Sequence, residues 1–173
     1  GDILVGTINN KPEETNAAAV AIDIPADGKY NIYARTRGFS SASGNRYSNM
    51  QIGDKILEKK IENPGIDSWS WIKLDTVDLK KGETIIRLHD TGAFWARVEG
   101  VLLTTSGILP SYAENMQTLA DKNSATVIDT EIPDVDINGN PVKSAVEFKE
   151  DKTYIILNPE SFSDNLGCWT YTS

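Results

Sequence analysis

Ser68–Thr105 reads SWSWIKLDTVDLKKGETIIRLHDTGAFWARVEGVLLTT, and its pattern sets the class of the whole chain. Trp69–Leu79 alternates, with Ile72 and Leu74 facing opposite to Trp71 and Lys73, as a half-buried strand requires. Lys80-Lys81-Gly82 is a tight turn, and Thr84–His89 is the returning strand. Asp90–Arg97 is a loop carrying Phe94 and Trp95, and Val98–Thr104 is a third strand.

Upstream the same texture repeats. Asp2–Ile8 is a short strand and Asn9–Asn16, with Pro12, a loop. Ala18–Ile24 puts Val20, Ile22 and Ile24 on one side, a period of two. Pro25–Gly28 turns the chain into Tyr30–Arg37, where Tyr30, Ile32, Ala34 and Thr36 oppose Tyr33, Arg35 and Arg37. Gly38–Asn45 is a long loop of small residues, Tyr47–Ile52 and Ile56–Ile61 flank the turn Gly53–Lys55, and Glu62–Ser68 is again a loop. Short turns (26–28, 53–55, 80–82) thus alternate with long loops (38–45, 62–68, 90–97). If each strand crosses the body once, the long loops share one end and the short turns the other. Many short strands at regular spacing predict an antiparallel β-sandwich.

After Thr105 the pattern changes. Ser111 and Glu114 form a capping box for a helix over about 111–123, with Tyr112, Met116 and Leu119 on one face. Ala125–Asp129 is a strand, and Asn138-Gly139 joins Val135–Ile137 to Val142–Phe148 in a hairpin. Lys152–Leu157 adds a strand, and Phe162–Tyr171 is irregular. Charge shifts at the same place: residues 1–105 hold 13 basic and 14 acidic side chains, residues 106–173 hold 4 and 11. The expected organisation is therefore a mainly β chain: an antiparallel jelly-roll sandwich over 1–105 and a small acidic α+β extension over 106–173, which packs on the sandwich or begins a further domain.

Composition removes several functions. The net charge is −8 over 173 residues, and neither part offers the cationic face that binding to nucleic acid requires. No apolar run reaches the ~18 residues of a membrane span. A start at Gly-Asp fits a trimmed chain, so the missing export signal does not argue for a cytosolic address. Cys168 is the single cysteine and His89 the single histidine, which excludes a disulfide framework and most His-based metal sites. Asp134-Val-Asp-Ile-Asn-Gly139 matches half of an EF-hand loop, but position twelve is Ala145, so a hairpin turn is the better reading. His89 beside Asp90 lacks the context of a catalytic relay, and no pair of carboxylates stands out as a glycosidase pair.

Residues 18–105 resemble the galactose-binding-like jelly-roll domains, the fold of many carbohydrate-binding modules. AVAIDIPADGKYNIYARTR is similar to their apolar strand, Pro/Gly turn and Tyr-rich strand ending in Ala-Arg. NRYSNMQIGDK looks like their next strand and turn, SWSWIKLDTVDLKKGETIIRLHD like the Trp-bearing hairpin, and ARVEGVLLTT like the closing strand. The resemblance implies non-catalytic binding of an oligo- or polysaccharide by an exported bacterial module, extracellular or at the cell surface. Many such modules carry a structural calcium. Glu99 stands where Asp is common and the first strand lacks recognisable calcium-binding acids, so no cofactor is expected, calcium being the alternative.

A sugar stacks its C–H face on an aromatic ring while planar polar groups take its hydroxyls. Trp95, with Trp69 as a second wall, is the candidate platform. Arg46, Tyr47, Asn49 and Arg97, in or beside the same loops, are the candidate hydrogen-bonding partners. The competing reading caps the sandwich core with Trp95, pairs Arg97 with a carboxylate, and makes the chain an accessory domain packed on a neighbouring domain of a larger protein.

Overall fold

The computed structural model describes residues 3–6, 17–38, 47–62, 69–91, 96–107, 126–127, 134–135, 141–142 and 152–172. In chain order the strands are Ile3–Val5 (β1), Ala18–Ile24 (β2), Gly28–Arg37 (β3), Ser48–Ile52 (β4), Lys55–Ile56 (β5), Trp69–Leu79 (β6) and Gly82–Asp90 (β7). Arg97–Val98 (β8), Gly100–Thr104 (β9), Thr126–Val127 (β10), Asp134–Val135 (β11), Pro141–Val142 (β12), Thr153–Leu157 (β13) and Thr170–Thr172 (β14) follow. The helix expected over 111–123 lies outside the described residues.

The strands form an antiparallel β-sandwich. One sheet has the order β2-β7-β4-β5 and the other β10-β13-β9-β3-β6, with β14-β1-β8 as a small third sheet and β11-β12 as a separate two-stranded pair. β8 and β9 are separated by Glu99 alone. Taken as one strand they join β1 to β3 and β6, which gives the 1-8-3-6 over 2-7-4-5 order of a jelly roll.

Strand pairing does not stop at the compositional step near residue 105. β13 hydrogen-bonds along β9, from Tyr154 opposite Thr104 to Leu157 opposite Val101. β14 pairs with β1, Leu4 facing Tyr171, while β1 also pairs with β8. Two segments far apart in sequence therefore share the free edge of the β8–β9 strand. Between β13 and β14 a 3-10 helix, Pro159–Phe162, is capped reciprocally by Asn158 and Ser161, and it buries Phe162.

The core follows the alternation. Ile22, Ile24, Met50, Ile52, Ile86 and Leu88 from one sheet meet Tyr30, Ile32, Ala34, Leu74, Val101, Leu103, Ile155 and Leu157 from the other. Each fully buried aliphatic side chain contributes about 1.5–3 kcal/mol of transfer free energy. Trp169 enters this core 4% exposed and donates its indole N–H to the Leu88 carbonyl at 2.9 Å. The hydrogen bond satisfies a group at the point where β2 begins, and it anchors the returning chain against β7.

Register fixes the two poles. Ile24 faces Gly82 and Gly28 faces Leu79, so the turns at 25–28 and 80–82 lie together. Asp27 ties them, its carboxylate accepting the Lys81 N–H at 2.7 Å. Gly53 turns toward the same pole with φ +55°, a left-handed conformation that a side chain would strain. At the other pole Arg37 faces Trp69, Ser48 faces Asp90 and Val5 faces Arg97. The strand ends flanking all three long loops are there.

Candidate functional site

The loop pole holds four of the expected binding residues, Trp69, Arg97, Tyr47 and Asn49, in two groups. Trp69 opens β6, half-buried, opposite Arg37. Across β3 from it the Thr36 hydroxyl donates to the Arg97 carbonyl at 2.7 Å, which places Arg97 on the far side of the same strand end. Tyr47 and Asn49 belong to the other sheet. The Tyr47 carbonyl accepts from Thr91 Oγ1 at 2.9 Å, and the Lys60 ammonium lies 3.9 Å from the centre of its ring. One face of that ring therefore already holds a cation, leaving the opposite face, the edge and the hydroxyl for other contacts. Asn49 sits on the outer face of its sheet, opposite His89. Trp95 and Arg46 lie outside the described residues.

Trp71 shares a sheet face with Trp69 by alternation, yet it is 9% exposed, and its indole N–H has no hydrogen-bond partner among the described residues. Arg35, opposite Trp71, is paired through Nε with Glu99 Oε2, both side chains largely buried. The Glu99 carboxylate is thus engaged by a guanidinium.

His89 and Asp90 do not form a pair. As neighbours on a regular strand they face opposite sides: Asp90 is buried, with its carboxyl so close to Gly6 that an added Cβ there would lie 2.9 Å from Oδ2. His89 faces outward, and its Nε2 is 2.7 Å from Gln51 Oε1. Gln51 in turn donates Nε2 to the Gly53 carbonyl at 2.7 Å. A carbonyl accepts only, so the amide is oriented with Oε1 toward the ring. His89 must then carry its proton on Nε2, which leaves Nδ1 as an acceptor. Burial, and then the charge of Arg87, push the His89 pKa below the usual value and favour this neutral form.

His89 belongs to a groove of about 520 Å³ on the outer face of the β2-β7-β4-β5 sheet. Its floor is Ala17 and Ala19 beside Ile85, Arg87 and His89, and its wall is Asn165 and Gly167 of the returning chain. Ala19 donates its N–H to the Asn165 carbonyl at 2.9 Å, which holds the wall in place. Gly167 turns it with φ +57°. Small alanines leave the space, and the residues of β7 supply the polar groups.

The sequence reading passed over this groove. The alternation of Thr84–His89 already places Ile85, Arg87 and His89 on one face. What no local pattern reveals is that Asn165 and Gly167, some 75 residues later, return to form its wall.

No protein-family model matches the chain, and no curated protein matches it. Among solved structures it is similar to a CBM35 from Cellvibrio japonicus Abf62, at 18% identity and TM-score 0.41, covering 60% of this chain and 75% of that one. It is also similar to a Podospora anserina GH26-CBM35 β-(1,4)-mannanase, at 18% identity and TM-score 0.40, covering 58% of this chain and 24% of that one. A ruminal GH26 endo-β-1,4-mannanase matches at 16% identity and TM-score 0.35 over 46% of this chain, which spans 16% of the length of the enzyme.

Proposed function

We propose that the chain is a non-catalytic carbohydrate-binding module of an exported bacterial protein, working outside the cell or at its surface. Its ligand is an oligo- or polysaccharide held at the loop pole. The observation that carries this reading is the gathering there of strand ends bearing Trp69, Tyr47, Asn49 and Arg97. An indole gives a sugar ring its stacking surface, and amide and guanidinium groups take its hydroxyls. Trp95 is assigned as the main platform, Trp69 as a second wall, and Arg46, Tyr47, Asn49 and Arg97 as polar partners. The divergence of His89 from Asp90 removes the nearest arrangement for catalysis.

A glycan array tests this. The wild-type chain is expected to bind at least one glycan class, with affinity falling about tenfold or more in Trp95→Ala and Trp69→Ala, the loss of one stacked ring. Wild-type binding unchanged in both variants removes the assigned site. Failure of the wild type to bind any glycan replaces the reading with an accessory domain that has no ligand of its own.

A further inference from the structure

We propose that the groove beside His89 is a second subsite, continuous with the loop pole, for a further neutral sugar unit of the same oligosaccharide, gripped through a pair of neighbouring hydroxyls. The inference rests on the glycan-binding reading and adds to it a direction for the ligand chain and a minimum length.

Continuity comes from register. Asn49, one of the pole residues, is the cross-strand partner of His89, and Gln51, two residues on, is the partner of Arg87. A ligand leaving Asn49 meets the groove within one residue step of the sheet. The groove holds about 520 Å³, ample for a single sugar ring, and its alanine floor leaves the ring room to lie flat.

Specificity comes from the donor and acceptor inventory. Arg87 offers only donors, and among the described residues it has no carboxylate partner to occupy them. His89 offers an acceptor, because the chain Gly53–Gln51–His89 fixes its proton on Nε2 and leaves Nδ1 an acceptor with no partner among the described residues. A donor beside an acceptor suits two hydroxyls on adjacent ring carbons, one accepting from the guanidinium and the other donating to the imidazole. A carboxylate or phosphate would meet the Nδ1 lone pair with its own, and an apolar ligand would strand both polar groups. Asn165 in the wall supplies a further amide of either sense.

The test uses the array-positive glycan as a length series of one to six units, measured by calorimetry on wild type, Arg87→Met and His89→Phe, with Asp23→Asn on the same outer face as the control. The inference predicts wild-type affinity that rises with length until the groove is filled. Both groove variants should lose about tenfold for the longer saccharides, the worth of one hydrogen bond involving a charged or buried partner, and nothing for the shortest that binds. Asp23→Asn should match wild type throughout. Groove variants that equal wild type at every length overturn the subsite while leaving the pole reading intact. Equal losses at every length, the shortest included, also overturn it, since they show a general disturbance of the fold. A wild-type chain that binds no glycan overturns both.

Discussion

The two sheets of this sandwich are built differently. In the β2-β7-β4-β5 sheet, buried and outward residues alternate: Met50, Ile86 and Leu88 face the core, and Asn49, Arg87 and His89 face away. In the other sheet, β9 and β13 are buried at every position. Leu102, Tyr154 and Ile156 lie opposite to the core residues Val101, Leu103, Ile155 and Leu157, and Tyr33 likewise alternates with Ile32 and Ala34. Strands covered on both faces read as unbroken apolar runs, here VLL and YIIL. Strands wet on one face keep polar groups free for a ligand. The doubly covered sheet buries side chains on both faces, and the proposed groove lies on the wet outer face of the other.

Paired truncations put that division at risk most directly. Ile155→Ala and Ile156→Ala point to opposite faces, and each should cost about 2–5 kcal/mol in urea denaturation. In the other sheet Ile86→Ala should cost as much, but its outward neighbour Ile85→Ala only about 1 kcal/mol, since part of that side chain is already in water. An Ile156→Ala penalty as small as that of Ile85→Ala would show that the outer layer of the five-stranded sheet contributes little.

The buried ion pair sharpens the same contrast. Arg35→Met leaves Glu99 buried without its guanidinium partner and should cost about 3–5 kcal/mol. The double variant Arg35→Met/Glu99→Leu should recover most of the loss. A single variant as stable as wild type would show that the pair is solvated. The exposed pair Lys29–Asp78, on solvent-facing side chains, is the comparison, and Lys29→Ala should stay within about 0.5 kcal/mol of wild type.

The smallest expected effect is on pH dependence. Burial and Arg87 hold the folded-state pKa of His89 below its unfolded value. The unfolded chain therefore takes up this proton first as pH falls. The contribution is present above the usual 6.5 and is lost as pH drops through the lowered folded value. His89→Gln should flatten the fall in urea midpoint between neutral and mildly acidic pH. A wild-type slope retained in the variant would assign it to other groups.

Much of the architecture was legible in the sequence. The alternation of Tyr30–Arg37, and of Trp71–Leu74 in the long strand, gave the correct faces, and the order of short turns and long loops gave the two poles; the bulge opposite Ile32/Tyr33, which turns Val77 and Leu79 into the core together with Leu74, was not legible. Boundaries moved where pairing overrides propensity: Ile56–Ile61, read as a strand, pairs over Lys55–Ile56 and again at Ile61 against Ser48. Val98–Thr104 is broken at Glu99, whose side chain turns to Arg35. The return of β13 and β14 into the sandwich was not legible, because their partners on β9 and β1 lie about 50 and 170 residues away and no local signal marks such pairing. Loop position placed the strand ends bearing Trp69, Tyr47, Asn49 and Arg97 at one pole, whereas the groove required a wall from a distant segment. Tyr47 was named as a partner without the Lys60 cation over its ring, a contact that depends on side-chain placement alone.

The most direct test is amide chemical-shift mapping on the isotope-labelled chain titrated with the array-positive oligosaccharide. The account predicts the largest shifts at Tyr47–Asn49, Trp69 and Arg97, extending with longer saccharides to Arg87 and His89. Shifts confined to β9 and β13, or to the short turns at 25–28, 53–55 and 80–82, would contradict it.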